Sequence, residues 1–247
     1  DIDIIGDEKL NIVNDAEIPS IIYTIFTGLG IEDFVIRINN RKVLNGLYAI
    51  LGLEEKAADI MRIIDKIDKI GRENVVAELA EIGITEDKVT TLLDLLLFKG
   101  SNEEVLANLE QFKGKNETFD LGFEEIQTVI KYIGVFGVPG DYYMIDLSIA
   151  RGLDCYTGTV YETFIRKHPE YGSVCSGGRY DNLAEYYTKK SLPGVGISIG
   201  LTRLFYVLNE QGLLSDEVVS APADALVIPM SEELGYSIAA ATAFRDA

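Results

Sequence analysis

Twelve residues carry the densest chemistry in this chain. Arg151-Gly152-Leu153-Asp154-Cys155-Tyr156-Thr157-Gly158-Thr159-Val160-Tyr161-Glu162 place a cation, two carboxylates, two phenols and two glycines just after an apolar run. Arg151 can only donate, through a rigid fork shaped for carboxylate or phosphate, while ionised Asp154 and Glu162 can only accept, so the stretch suits a clamp for a polar ligand. The competing reading is a turn between two strands in which Arg151 pairs with Asp154.

Two later stretches add to it. Ser176-Gly177-Gly178-Arg179-Tyr180-Asp181-Asn182-Leu183 pairs two glycines, which let backbone approach a ligand closely, with a cation at Arg179 and a flat hydrogen-bonding face at Tyr180. It reads as a stretch that follows a short strand and opens a helix, with a tight turn as the alternative. Gly194-Val195-Gly196-Ile197-Ser198-Ile199-Gly200-Leu201-Thr202-Arg203-Leu204 reads as a glycine-bounded strand running straight into a helix. That places Arg203 in the first turn, where helix N–H groups favour an anion. The chain contains no GxxxxGK[ST] loop.

The elements that must position these residues follow from periodicity. Alternation in Asp1-Ile2-Asp3-Ile4-Ile5-Gly6 predicts a strand with Asp1 and Asp3 on one face, and Phe34–Asn39 predicts another. Asp15–Gly28 predicts a helix with an acidic first turn, and Asn40 an N-cap for a helix carrying Val43, Leu44, Leu47 and Ile50. From about Leu53 to Lys115 apolar residues recur at spacings of three and four, as in Ile60, Ile63, Ile64, Ile67 and Val89, Leu92, Leu93, Leu96, which predicts a small helical insertion. A helix over Phe119–Val135 and a strand over Tyr143–Ala150 follow, with Thr159–Arg166 expected to return antiparallel to that strand. The lack of a repeated βα unit predicts an antiparallel sheet in an α+β domain.

Composition narrows the function classes. The formal charge of −18, from 22 basic and 40 acidic residues, opposes broad affinity for nucleic-acid backbones. Arg151 to Arg203, however, holds seven basic residues against five acidic ones, a local +2 that would draw an anionic small ligand. Cys155 and Cys175 make neither a zinc spacing nor a disulfide framework, no metal site is expected, and nothing resembles a signal peptide or membrane span, so the expected setting is the cytoplasm. His168, the sole histidine, lies in a charged loop and has no triad or zinc partners in the sequence.

Together RGLDCYTGTVYE, SGGRYDNL and GVGISIGLTRL closely resemble histidyl-tRNA synthetase, a class II aminoacyl-tRNA synthetase: the first two match its histidine-specific signatures and the third its motif 3. The resemblance implies a class II synthetase-like α+β fold, an antiparallel sheet with flanking helices and an all-helical insertion. Residues 1–52 would begin the catalytic core, 53–118 form the insertion, 119–215 complete the core with motif 3, and 222–247 start a C-terminal anticodon-binding domain. It implies activation of L-histidine with ATP and Mg2+, transfer to tRNA(His), and a homodimer. By position, Arg151 would be catalytic, neutralising the reacting carboxylate and α-phosphate. Asp3, Tyr156, Tyr180 and Cys155 would line the histidine pocket, and Arg203, Gly200 and Gly178 the nucleotide site.

Two departures qualify that expectation. Cys155 stands where the family usually has the first of two tyrosines, and nothing resembles motif 1, motif 2 with its ATP-binding arginine, or the glutamine that would precede DIDIIG. The chain is therefore expected to be a fragment, inactive by itself in histidine-dependent ATP–pyrophosphate exchange. The alternative is a synthetase-like regulatory or sensing module, such as the ATP phosphoribosyltransferase regulatory subunit or an uncharged-tRNA sensor.

Overall fold

A computed structural model describes residues 1–150, 155–186, 188–210, 212, 214, 225–230, 232 and 234–245, with the side chains of Asp68, Ala184 and Tyr186 outside that description. The chain divides into two compact units, Asp1–Phe205 and Tyr206–Ala247.

The first unit is built on a six-stranded sheet of order β1-β6-β5-β4-β2-β3: β1 Ile2–Ile5, β2 Phe34–Asn40, β3 Tyr143–Ile145, β4 Thr159–Ile165, β5 Cys175–Tyr180 and β6 Gly194–Ile199. All neighbours are antiparallel except β2 and β3, which run parallel. Two expectations are corrected here. β4 pairs with β2 and β5, not with the Tyr143 strand. That strand ends at Ile145, because beyond it the Asn39 side-chain amide takes over, donating to Leu147 O at 3.1 Å and Ile149 O at 2.8 Å. An amide that serves two carbonyls can steer a chain where backbone pairing stops.

Register separates the two faces of the sheet, since directly paired residues share a face. Asp3, Gly196, Gly178, Val160 and Asn39 form one row across five strands, and Ser198, Ser176, Glu162, Arg37 and Met144 form the next. The opposite face carries Phe34, Ile36, Ile38, Tyr161, Val195 and Ile197, all buried, against helices α1 (Val13–Gly28) and α7 (Glu117–Val135). A polar, glycine-rich face thus lies opposite an apolar one.

Helix α2 (Arg41–Ile50) starts where Asn40 accepts a hydrogen bond from the Lys42 N–H at 2.8 Å, as the sequence predicts. It packs on α7 at backbone contact: a Cβ on Gly46 would stand 2.4 Å from Phe119 Cβ, and one on Gly122 would stand 2.6 Å from Val43 N. Between α2 and α7 come α3 (Ala57–Ile64), α4 (Ile67–Glu81, broken at Gly71), α5 (Glu86–Leu96) and α6 (Asn102–Glu110), whose start is fixed by a Ser101/Glu104 capping box. Their apolar stripes are core. Ile60, Leu79, Leu92 and Leu96 join Leu44, Phe119 and Ile126, and also Ile145, Leu147 and Ala150, in one continuous cluster.

Helix α8 (Leu201–Glu210) follows β6, and α9 (Gly235–Arg245) lies in the second unit with Tyr236, Ile238 and Phe244 exposed. No helix among the described residues is long and apolar enough to cross a membrane.

Candidate active site

Glycines make the floor of the candidate site. β5 and β6 place Gly178, Gly194 and Gly196 on the polar face, and each leaves space that another side chain fills. A Cβ on Gly194 would fall 2.3 Å from the Tyr180 ring, one on Gly196 would fall 2.1 Å from Asp3 Oδ1, and one on Gly178 would fall 2.9 Å from the Tyr156 ring. Contacts that short are excluded for any larger residue, so the glycines admit these three side chains to the sheet surface.

Over that floor the Tyr180 hydroxyl donates to Asp3 Oδ1 at 2.6 Å. Burial, then the hydrogen bond and charge of Asp3, and then the nearby Tyr156 raise the Tyr180 phenol above its ordinary value, so it remains a proton donor. Asp3, Tyr156 and Tyr180 therefore gather into one cluster. Cys155 precedes it as an exposed thiol, while Arg151 and Asp154 lie outside the described residues. Glu162 is buried on the same face one row away.

Arg179 does not join this cluster. The GGRY segment ends β5, a short 3-10 helix follows over Leu183–Tyr186, and strand parity sends Arg179 to the face opposite Tyr180. There it is buried, donating to Asp15 Oδ1 and Leu10 O at 2.5 Å each and to Asp181 Oδ1 at 3.0 Å. Asp15, in the first turn of α1, also accepts from the Thr159 hydroxyl at 2.7 Å, and its carbonyl accepts from Tyr161 at 2.7 Å. Burial pushes the Asp15 carboxyl up to about 6 against the opposing pull of Arg179 and Thr159, while Asp15 and Asp181 together outweigh burial at Arg179 and raise it further.

The β6–α8 corner holds the third stretch. Arg203 sits in the first turn of α8 and donates to Ser173 O at 2.5 Å, and Gly200 N–H donates to Val174 O at 2.9 Å. These residues line a cavity of about 370 Å³ with Ser176 and Ser198, which stand one row along from Gly178 and Gly196. At about 3.3 Å per strand residue, the corner begins roughly 7 Å from the Asp3 row, so one sheet face serves both. A Cβ on Gly200 would meet nothing nearer than 3.5 Å, so packing does not require this glycine. A roomier cavity of about 580 Å³ lies at the β2–β3 end, lined by Arg37, Tyr143 and Phe164, and contains none of the residues singled out from the sequence.

Sequence reasoning missed the groups that hold residues 146–150: Asn39, and Asp146, which accepts from Ser148 Oγ at 2.5 Å and from Lys99 at 2.8 Å. Burial raises the Asp146 carboxyl, but Lys99, Ser148 and Arg37 outweigh it and hold the group below its ordinary value. Cys175 is buried and its thiol is pushed up to about 12. His168 pairs with Glu170 at 3.0 Å and stacks on Tyr171, away from the cluster.

A family model described as histidyl-tRNA synthetase matches residues 2–204. The chain is 52% identical over its full length to a histidine–tRNA ligase of Clostridium tetani, of which it covers 56%. It is 46% identical over 93% of its length to one of Finegoldia magna, covering 53% of that protein. It thus spans about half the length of these curated relatives. The crystal structure of histidyl-tRNA synthetase from Nostoc sp. PCC 7120 superposes with a TM-score of 0.84 at 42% identity, over 99% of this chain and 57% of that one. The chain belongs to the histidyl-tRNA synthetase family.

Proposed function

We propose that this chain forms the histidine-recognition wall and the motif 3 corner of a histidine–tRNA ligase. The reaction would join L-histidine to tRNA(His) through histidyl-adenylate, with release of AMP and diphosphate. The observation that carries the proposal is the convergence of Asp3, Tyr156 and Tyr180 on a glycine floor continuous with the Arg203 corner.

An imidazole presents one N–H donor and one acceptor nitrogen. Asp3 can accept from the first, and the Tyr156 hydroxyl can donate to the second. Tyr180 holds Asp3 in place through its hydrogen bond. An analogue without those nitrogens would leave Asp3 and Tyr156 unpaired beneath it, which is how such a site discriminates. Arg203, fixed by Ser173 O at a helix N-terminus, is suited to a terminal phosphate, and the open backbone at Gly200 to a flat base. Bound ATP with Mg2+ would supply the electrophilic α-phosphorus and a diphosphate leaving group. Arg151, by its place in the first signature, would neutralise charge at the reacting carboxylate and α-phosphate. Gly178 serves this arrangement by seating Tyr156. We assign residues 53–118 to an insertion on the catalytic core and 222–247 to the start of a further domain, with tRNA(His) and a second copy as partners.

Calorimetric titration of the chain with L-histidine tests the recognition wall. Binding that is selective over phenylalanine and weakened by Asp3→Asn is expected. Equal affinity for histidine and phenylalanine would overturn the proposal. Without a motif 2 arginine the chain alone is expected to show no histidine-dependent ATP–pyrophosphate exchange.

A further inference from the structure

The two signature stretches interlock through one another's glycines. Tyr156 of the first lies over Gly178 of the second, and Arg179 of the second lies against Gly158 of the first, where a Cβ would stand 3.0 Å from Arg179 Cδ. Thr157, between Tyr156 and Gly158, is held four times: its N–H donates to Arg179 O at 2.8 Å, its hydroxyl donates to Asp181 Oδ2 at 2.6 Å and lies 3.5 Å from Arg179 O, and its hydroxyl oxygen accepts from the Asp181 N–H at 3.1 Å. Asp181 is in turn held by Arg179 Nε, whose guanidinium is anchored on Asp15 and Leu10 O. One buried cation on the apolar face of the sheet is thus tied by an unbroken chain of bonds to the residue beside Tyr156 on the polar face.

We infer that Arg179, acting through Asp181 and the Thr157 hydroxyl, is the positioning residue that sets the Tyr156 ring against Gly178 and so fixes the imidazole end of the pocket. This rests on the histidine-pocket reading, but the ring's placement can be measured without any ligand. Arg179 touches no substrate. Its anchors at Asp15 and Leu10 make it rigid, and the two Thr157–Asp181 contacts transmit that rigidity to a segment outside regular secondary structure. Misplacement of a recognition group by about 1 Å costs up to about 100-fold.

Thr157→Val tests this, because it removes the hydroxyl while leaving the Arg179–Asp15 ion pair in place. In the full chain with selectively labelled glycine, the Tyr156 ring current should displace and separate the Gly178 α-proton resonances. In Thr157→Val that displacement should collapse, histidine affinity should fall about 10- to 100-fold, and the melting temperature should change little. Thr157→Ser, which restores the hydroxyl, should recover both signals. A Gly178 displacement unchanged in Thr157→Val overturns the inference. If the displacement collapses in the variant while the unmodified chain shows no histidine binding, the positioning role stands and the histidine reading falls.

Discussion

Tyr180 and Asp3, 177 positions apart in the chain, meet at 2.6 Å across a strip of glycine. Hydrogen bonds to a charged group contribute about 1.5–3 kcal/mol, but this pair is exposed at the sheet surface, so its effect should fall on ligand recognition more than on folding. Tyr180→Phe is expected to weaken histidine binding about tenfold and to leave the melting temperature within a few degrees of the unmodified protein. Calorimetry and a thermal melt on the same sample check both halves.

Gly196 and Gly200 should respond differently to the same substitution. Gly196→Ala drives a methyl to 2.1 Å from Asp3 Oδ1 and 2.6 Å from Ile2 O, so β1 must shift, at about 1–3 kcal/mol. Gly200→Ala makes only ordinary contacts, with Val174 O at 3.5 Å and Arg203 Cβ at 3.7 Å, so stability is expected within about 0.5 kcal/mol. If the backbone at 200 faces a nucleotide, that second variant should instead lose ATP affinity. Urea unfolding paired with nucleotide titration distinguishes the two.

Asp15 predicts a pH dependence with a definite sign. The carboxyl titrates near its ordinary 3.8 when unfolded and near 6 in the fold. Between those values the folded protein holds a proton that the unfolded chain has lost, so stability from this residue declines as pH rises from about 4 to 6. The full change is on the order of 3 kcal/mol. Asp15→Asn should flatten that part of the stability curve, and an unaltered slope in the variant would count against it.

The two thiols should react at very different rates. Cys155 is exposed, whereas Cys175 is buried with its thiol pushed up to about 12. A thiol reagent under native conditions should modify one cysteine per chain, identified by mass spectrometry as Cys155, and the second only on unfolding. Bound histidine should slow the reaction, because Cys155 adjoins Tyr156.

Some of this was legible in the residues and some was not, for identifiable reasons. The Asn40 cap and the β6–α8 corner could be read because both rest on neighbours a few positions apart. GGRYD misled because paired glycines signal a turn. In β5 they instead make room for Tyr156 and for the β6 backbone, and strand parity then sends Arg179 and Tyr180 to opposite faces. Pairing of β4 with β2 instead of β3 depends on sheet order, which no local pattern encodes. Asp15 left a trace that periodicity could have caught. It shares the buried stripe of Ile18, Pro19, Ile22 and Phe26, where a lone carboxylate requires a partner across the fold.

The continuous cluster that joins α3–α6 to Ile145, Leu147 and Ala150 has a mechanical consequence. An appendage on a polar hinge could swing over the site and away again, but this one shares its dry interior with the run of chain that ends just before Arg151. A load applied to the outer surface of α3–α6 would therefore reach residues 145–150 as strain carried through that shared interior.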